Sequence, residues 1–291
     1  IPPFLPTPRP PQDATRDILT PTRDQQELIE AVLRTSSSSP LFVSGRRGRG
    51  KSAALGVAAA LLLRRGCDKI VVTSPSLEST QQLFNSAERA ARARAKETTK
   101  VDVVRKAPGL LQIAGGHLQF FSVGDLLSQA RKVLKTCQYL FVDEAAGIPV
   151  FEASTLLRRA KRVIMATTLD GYEGSGQGFL LRALPVFQET KRQLRQVHLR
   201  EPLRWAPGCP LEALANNLLM LDAQAAPEER VQGLTLSEVV FEELDREYLV
   251  SKACAAGELQ ELFGLLRCSH YKTRPSDLRC FVDTPNIRWF V

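Results

Sequence analysis

One run of eight residues constrains this chain more than any other: Gly45-Arg46-Arg47-Gly48-Arg49-Gly50-Lys51-Ser52. It matches the spacing G-x-x-x-x-G-K-[ST], the phosphate-cradling P-loop. Leu41-Phe42-Val43 ahead of it is an apolar run of strand type, and Ser52 opens an Ala/Leu-rich run suited to a helix. Strand, glycine loop and helix is the order that phosphate binding requires. Glycines let the backbone curl so that several N–H groups face one anion. The helix start adds about half an elementary positive charge at the same point. Lys51 would reach the β- and γ-phosphates of a nucleoside triphosphate, and Ser52 would hold Mg²⁺. The overlapping pattern Gly48-x-Gly50-x-x-Ala53 imitates a dinucleotide fingerprint but is contained within the stronger match.

A second element completes such a site. Tyr139-Leu140-Phe141-Val142 is a fully apolar strand that delivers Asp143 and Glu144 at its end. Asp143 would bind Mg²⁺ and Glu144 would orient and activate the attacking water. Ile70 to Pro75 and Val163 to Thr168 read as further buried strands ending in polar residues, where a parallel sheet makes its ligand contacts. The second of these resembles the S-A-T element that couples hydrolysis to nucleic acid in helicases. Leu110 to Phe121 reads as two strands around a Gly-Gly turn, and Val197-His198-Leu199 as one more strand. Arg204, soon after it, is a candidate for stabilising charge on the γ-phosphate, with a surface ion pair as the equal alternative.

Upstream, Thr22-Arg23-Asp24-Gln25 fits a capping box at the start of a helix. Gln25 has two readings here: helix cap, or the adenine-recognising glutamine found just ahead of the P-loop in many helicases. Both use the same side-chain amide. Ser86 to Glu97 reads as a helix with Arg89, Arg92 and Lys96 on one face, either a solvated face or a phosphate-backbone contact. Gly171 to Gly178 holds four glycines, with Tyr172 offering a stacking surface.

The formal net charge of +8 in 291 residues points to a polyanionic partner. The longest apolar run, Ala53 to Leu63, is shorter than the about 20 residues that span a bilayer. No membrane association is expected. Cys67, Cys137, Cys209, Cys254, Cys268 and Cys280 form no C-x-x-C pair, and the three histidines are dispersed, which argues for reduced thiols in the cytoplasm and against zinc. Residues 1–20 are Pro-dense and read as a linker, with a domain expected upstream. Residues 21–208 read as the ATPase domain. Beyond them, 209–291 turns helical, over Leu211 to Leu221, Leu236 to Val250 and Glu258 to Leu266. The fold class expected is α/β: a P-loop NTPase of RecA/helicase-like type, with a mostly parallel sheet flanked by helices and a helical C-terminal extension.

Several stretches together resemble the tRNA(Met) cytidine acetyltransferase family: GRRGRGKSAALG (45–56), FVDEAAGIP (141–149), ATTLDGYEGSGQGF (166–179), EPLRWAPGCPLE (201–212) and HYKTRPSDLR (270–279). Proteins of this family join an RNA-helicase-like ATPase module to a GNAT-type acetyltransferase domain. The resemblance implies ATP-driven N4-acetylation of the wobble cytidine of elongator tRNA(Met), with acetyl-CoA as donor and ATP, or GTP, as the nucleotide. It implies a nucleotide site of Gln25, Gly45 through Ser52, Ala53, Ala54, Asp143 and Glu144, with Arg204 as a further member. One departure is Gln177, where the family usually carries arginine; Arg182 or Arg204 is placed to substitute. No [QR]-x-x-G-x-[GA] element for acetyl-CoA follows Val150. The chain is therefore expected to be the ATPase module, with the acetyltransferase domain lying outside it. A stand-alone nucleic-acid translocase and a nucleotide-gated RNA-binding module without turnover are the rival readings.

Overall fold

A computed structural model describes residues 20–95, 102–168, 192–226, 257–269 and 275–285, with shorter pieces at 229, 232–233, 235, 239–244, 247 and 288–290. Two compact units divide the chain: Ile1–Thr167 with Val186–Cys209 forms one, and Thr168–Pro185 with Pro210–Val291 the other.

The first unit is built on an eight-stranded sheet. Its strands are β1 (Leu41–Gly45), β2 (Lys69–Thr73), β3 (Val103–Ala107), β4 (Leu110–Ile113), β5 (Gly116–Phe120), β6 (Tyr139–Val142), β7 (Val163–Thr168) and β8 (Arg195–Leu199). Their order is β3-β4-β5-β2-β6-β7-β1-β8. The pairs β2–β5, β2–β6, β6–β7 and β1–β8 are parallel, and β3–β4–β5 is an antiparallel meander at one edge. The continuous apolar runs in β1, β2, β6 and β7 follow from this placement, since strands covered on both faces have no solvent side to alternate with. β3 alternates half-buried and exposed positions instead, as an edge strand does, and it carries too little hydrophobic signal to be read from sequence. The β4–β5 turn is centred on Ala114 (φ 52°) and Gly115 (φ 84°) rather than on the Gly-Gly pair, and Gly116 already belongs to the strand.

Helix α1 (Arg23–Leu33) leads into β1, and α2 (Lys51–Arg64) follows the P-loop. Helix α2 is buried on nearly every side, which explains its uninterrupted Ala/Leu composition. It packs against α3 (Gln81–Ala95) at very short range. A Cβ on Gly56 would lie 2.2 Å from the Leu83 carbonyl oxygen, so glycine is what lets the two backbones approach. Helix α3 begins five residues ahead of the predicted Ser86 start and was expected to present a basic face. On that face Arg92 is engaged by Glu88 at 2.8 Å, and Glu88 also meets Arg105 at 3.2 Å. This is the arrangement of a solvated helix surface; Lys96 and Glu97 lie outside the described residues. On the connections to β6 and β7 run α4 (Val123–Ser128), α5 (Ala130–Thr136) and α6 (Val150–Arg159), three short helices not anticipated from the sequence.

The second unit holds α7 (Pro210–Leu218), α8 (Glu258–Ser269) and α9 (Pro275–Asp283), and a small antiparallel ribbon of β9 (Glu243–Leu244) and β10 (Trp289–Phe290). The helix predicted over Leu236 to Val250 is contradicted at its centre, because Val239–Glu242 are not helical and Glu243–Leu244 pair with β10. Ribbon pairing overrode local helix propensity there. Phe263 and Phe281 meet edge to face at the core of this unit, 6.3 Å apart. The buried Arg267 guanidinium donates to the carbonyls of Met220, Leu221 and Ala223 and so closes the turn after α7. Among the described residues no helix is long and apolar enough to cross a membrane.

Candidate nucleotide-binding site

The P-loop occupies the turn from β1 into α2, with Gly48 (φ 79°) and Gly50 (φ 77°) in the left-handed region. Side chains at either would be strained by backbone conformation alone. Space is also limited: a Cβ on Gly50 would come within 2.2 Å of Leu203 Cδ1 and 2.5 Å of Gln25 Nε2. A Cβ on Gly45 would meet the Leu199 carbonyl oxygen at 2.6 Å, so β8 presses directly on the loop's first residue. Lys51 Nζ folds back to donate to Gly45 O at 2.7 Å and Arg46 O at 3.1 Å. These two carbonyls hold the ammonium over the loop in the position from which it would meet phosphate oxygens.

Asp143 follows β6, two strands away from β1 with β7 between them. Its carboxyl is buried, at 1% exposure, and Oδ1 accepts from the Glu144 N–H at 3.1 Å. Oδ2 is buried without a hydrogen-bond partner. Burial pushes the Asp143 pKa up; the Ser52 side chain, the Glu144 N–H and the Lys51 charge pull the other way without cancelling it. Lys51, Ser52 and Asp143 therefore share one crevice. A buried carboxylate oxygen with no donor, beside a hydroxyl at a helix start, is the donor set a hard divalent cation such as Mg²⁺ takes, and the residues present fit that ion.

The same burial has a stability consequence whose sign is fixed. The folded Asp143 binds its proton more tightly than the unfolded chain, whose value is 3.8, so stability falls as pH rises through the window above 3.8. Asp143→Asn is expected to raise the metal-free melting temperature at neutral pH, by about 2–4 °C for each kcal/mol relieved. Thermal melts against pH should show that gain fading toward pH 3.8. Added Mg²⁺ should stabilise the wild type and leave the variant unchanged.

Glu144 sits on the exposed side of the same turn with φ 50° and ψ 46°, a left-handed conformation that costs a non-glycine residue about 1–2 kcal/mol. The turn is tied to β7 by the Ala146 N–H, which donates to the buried Thr167 hydroxyl at 3.3 Å. The hydroxyl-ended strand β7 is thus linked to the acidic turn.

Gln25 is buried, and its amide serves two partners at once. Oε1 accepts from the Thr22 N–H at 3.1 Å, completing the capping box, while Nε2 donates to Gly50 O at 3.1 Å. Cap and loop contact use opposite ends of the amide. The cap occupies the oxygen and the loop contact the nitrogen, so both ends of the amide that adenine would meet are engaged within the protein.

Arg204 lies on a strap over the P-loop. The Leu203 N–H donates to Gly48 O at 2.9 Å, Arg49 Cζ sits 5.7 Å from the centroid of the Trp205 ring, and the Arg204 side chain reaches the Gly48 surface. The strap is anchored at its start by Asp24 Oδ2, which accepts from the Arg200 N–H at 2.6 Å and the Glu201 N–H at 3.0 Å. Partial burial pushes the Asp24 pKa up, but the two N–H groups and nearby positive charge outweigh it and hold the carboxyl below its usual value. Asp24, Leu203 and Trp205 were not found by sequence reasoning. The one available signal was a tryptophan next to Arg204 in the EPLRW stretch. Tyr172, Gln177 and Arg182 lie outside the described residues.

A glycine loop opening a buried helix, with an acid at the end of a parallel strand across the same crevice, defines a P-loop NTPase fold on a mostly parallel, helix-flanked sheet. Residues 42–222 match the family model described as RNA cytidine acetyltransferase NAT10/TcmA, helicase domain. The chain is 39% identical over 273 residues to the tRNA(Met) cytidine acetyltransferase TmcA of Nitrosococcus halophilus, covering 93% of this chain and 34% of that protein. It is 33% identical to the TmcA of Haloferax volcanii, covering 98% and 37%. The chain belongs to the tRNA(Met) cytidine acetyltransferase family, and it spans about a third of the length of the curated relatives it matches. Solved structures that superpose on part of it include a large terminase from a thermophilic bacteriophage, at TM-score 0.48 and 11% identity over 68% of this chain and 50% of that one. The Pif1 helicase of Candida albicans superposes at TM-score 0.42 and 13% identity over 81% and 61%.

Proposed function

We propose that this chain is the ATP-binding and ATP-hydrolysing module of a tRNA(Met) cytidine acetyltransferase, with residues 21–208 as the ATPase domain and 209–291 as a C-terminal portion leading toward the acetyltransferase. The whole enzyme would form N4-acetylcytidine at the wobble position of elongator tRNA(Met) from acetyl-CoA and ATP, in the cytoplasm. One observation carries the module's part: the unpartnered Asp143 carboxylate oxygen beside Ser52 and Lys51 at the start of α2.

In this reading the P-loop N–H groups and Lys51 bind the phosphates and stabilise the charge that develops as the β–γ bond breaks. Ser52 and Asp143 hold Mg²⁺, which when bound neutralises phosphate charge. Glu144 accepts a proton from the attacking water. Gln25 fixes the loop through Gly50 O and offers the adenine contact, and Arg204 supplies a further positive charge from the strap. Turnover would help take an anticodon base out of its stack, a step that costs a few kcal/mol.

The test is the ATPase rate of this chain alone, with elongator tRNA(Met), and with an unrelated tRNA, repeated with GTP. Stimulation by elongator tRNA(Met) above the control is the expected result. Absence of nucleotide binding would overturn the proposal.

A further inference from the structure

A loop that cradles an anion with its N–H groups turns carbonyls outward, and each carbonyl then needs a donor elsewhere. The P-loop supplies most of these donors itself. Lys51 Nζ serves Gly45 O and Arg46 O, and Arg49 Nη1 donates to Arg47 O at 3.3 Å. Gly50 O accepts the Ala54 N–H at 2.9 Å as α2 begins. Gly48 O is served from outside the loop, by the Leu203 N–H at 2.9 Å. Gly48 (φ 79°) has no side chain, so the peptide joining it to Arg49 rotates more freely than its neighbours. That peptide is trans, and its C=O and N–H point opposite ways. A carbonyl drawn to the strap therefore sends the Arg49 N–H away from the strap.

The donor at Leu203 is in turn placed by Asp24. Its Oδ2 accepts from the Arg200 and Glu201 N–H groups at 2.6 and 3.0 Å, directly after β8 ends at Leu199. Only Pro202 separates Glu201 from Leu203. Proline fixes its own φ and restricts the residue ahead of it, so an anchor at Glu201 sets the direction of the N–H two residues on. An acid in the first turn of a helix is ordinarily explained by the helix dipole. Here the start of α1 is already closed by the reciprocal Thr22–Gln25 box, and Asp24 Oδ2 reaches across 176 residues of sequence to the strap. We propose that Asp24 is a positioning residue for phosphate binding: through Arg200, Glu201 and the Leu203 N–H it holds the Gly48–Arg49 peptide with its N–H turned to the nucleotide phosphates. Asp24 acts through the strap, not on the nucleotide. The role rests on the nucleotide site proposed above.

The experiment titrates a fluorescent ATP analogue, and inorganic pyrophosphate in competition with it, against the 291-residue chain. Wild type is compared with Asp24→Ala, Asp24→Asn, Leu203→Pro and the double variant Asp24→Ala/Leu203→Pro, each melted first to verify its fold. Asp24→Ala should weaken both ligands by the same factor, about tenfold, the loss expected when hydrogen bonds to a charged acceptor are removed. Equal loss on base-free pyrophosphate identifies the phosphate cradle; a lower melting temperature with unchanged affinities marks a mere brace and overturns the proposal. Asparagine keeps an oxygen able to accept both N–H groups, so Asp24→Asn should bind close to wild type, and an Asn variant no better than Ala overturns the assignment. Leu203→Pro removes the N–H with Asp24 intact. If Asp24 acts through that N–H, the double variant binds no more weakly than the weaker single variant, whereas losses that add in full overturn it. Should Asp24→Ala fail to fold, Leu203→Pro alone must show the equal loss on both ligands, and its absence is decisive against the clamp. A wild type that binds neither ligand strikes the nucleotide site itself. Amide exchange without ligand then decides the clamp: the Leu203 N–H should exchange faster in Asp24→Ala than in wild type, and equal rates overturn it.

Discussion

Exchanging Lys51 for alanine should lower ATP turnover by about two to three orders of magnitude, the loss seen when one preorganised charge-stabilising donor is removed from an active site. The geometry explains why the effect should be large. Lys51 Nζ is held by the Gly45 and Arg46 carbonyls at 2.7 and 3.1 Å, so its position is set before any substrate arrives. Binding would exchange these carbonyls for phosphate oxygens with little reorganisation. Truncation removes the ammonium and also the tie that closes the loop, so nucleotide affinity should fall alongside turnover. Steady-state ATPase and a fluorescent-nucleotide titration read the two effects separately. Lys51→Arg should not restore activity, because a planar fork cannot take the place of a compact point charge on those two carbonyls. In the full-length enzyme, acetylation unchanged by Lys51→Ala at saturating tRNA would break the proposed coupling between ATP and base chemistry.

Glu144→Gln should separate binding from turnover. The substitution keeps size and leaves the left-handed backbone at φ 50° with the same steric demands, so the melting temperature should hardly change. It removes the proton acceptor, and general-base losses of about 10²–10⁴-fold in turnover are expected while nucleotide affinity stays within a few-fold of wild type. The strain that Glu144 accepts in this conformation is itself a reason to look for function at this position. Should wild type and Glu144→Gln turn over ATP at the same rate while binding it equally, the chain would act as a nucleotide-gated RNA-binding module.

The halves of the nucleotide site were legible in the sequence for different reasons. Gly45 to Ser52 is local: eight consecutive residues specify a backbone path, and the flanking strand and helix are apolar enough to announce themselves. Asp143 and Glu144 were legible because β6 is buried on both faces and so reads as an unbroken hydrophobic run that stops at two acids. What escaped were features made by contacts between distant segments. Asp24 and Arg200 are far apart in the chain, and nothing in either stretch encodes their hydrogen bond. Edge strand β3 and the short helices α4 to α6 carry weak periodicity and are held by packing. Gly56 was read as one residue of an Ala/Leu run; only the Leu83 carbonyl beside it shows that a methyl group there would separate two helices.

Trp205, resting against Arg49 in the strap, gives the molecule a built-in optical gauge. The chain has two tryptophans, and the other, Trp289, belongs to the second unit. A guanidinium that turns from the indole toward an incoming phosphate would alter Trp205 emission without any attached dye. Stopped-flow fluorescence of the unlabelled protein could then time the arrival and departure of nucleotide, with Trp205→Phe as the blank.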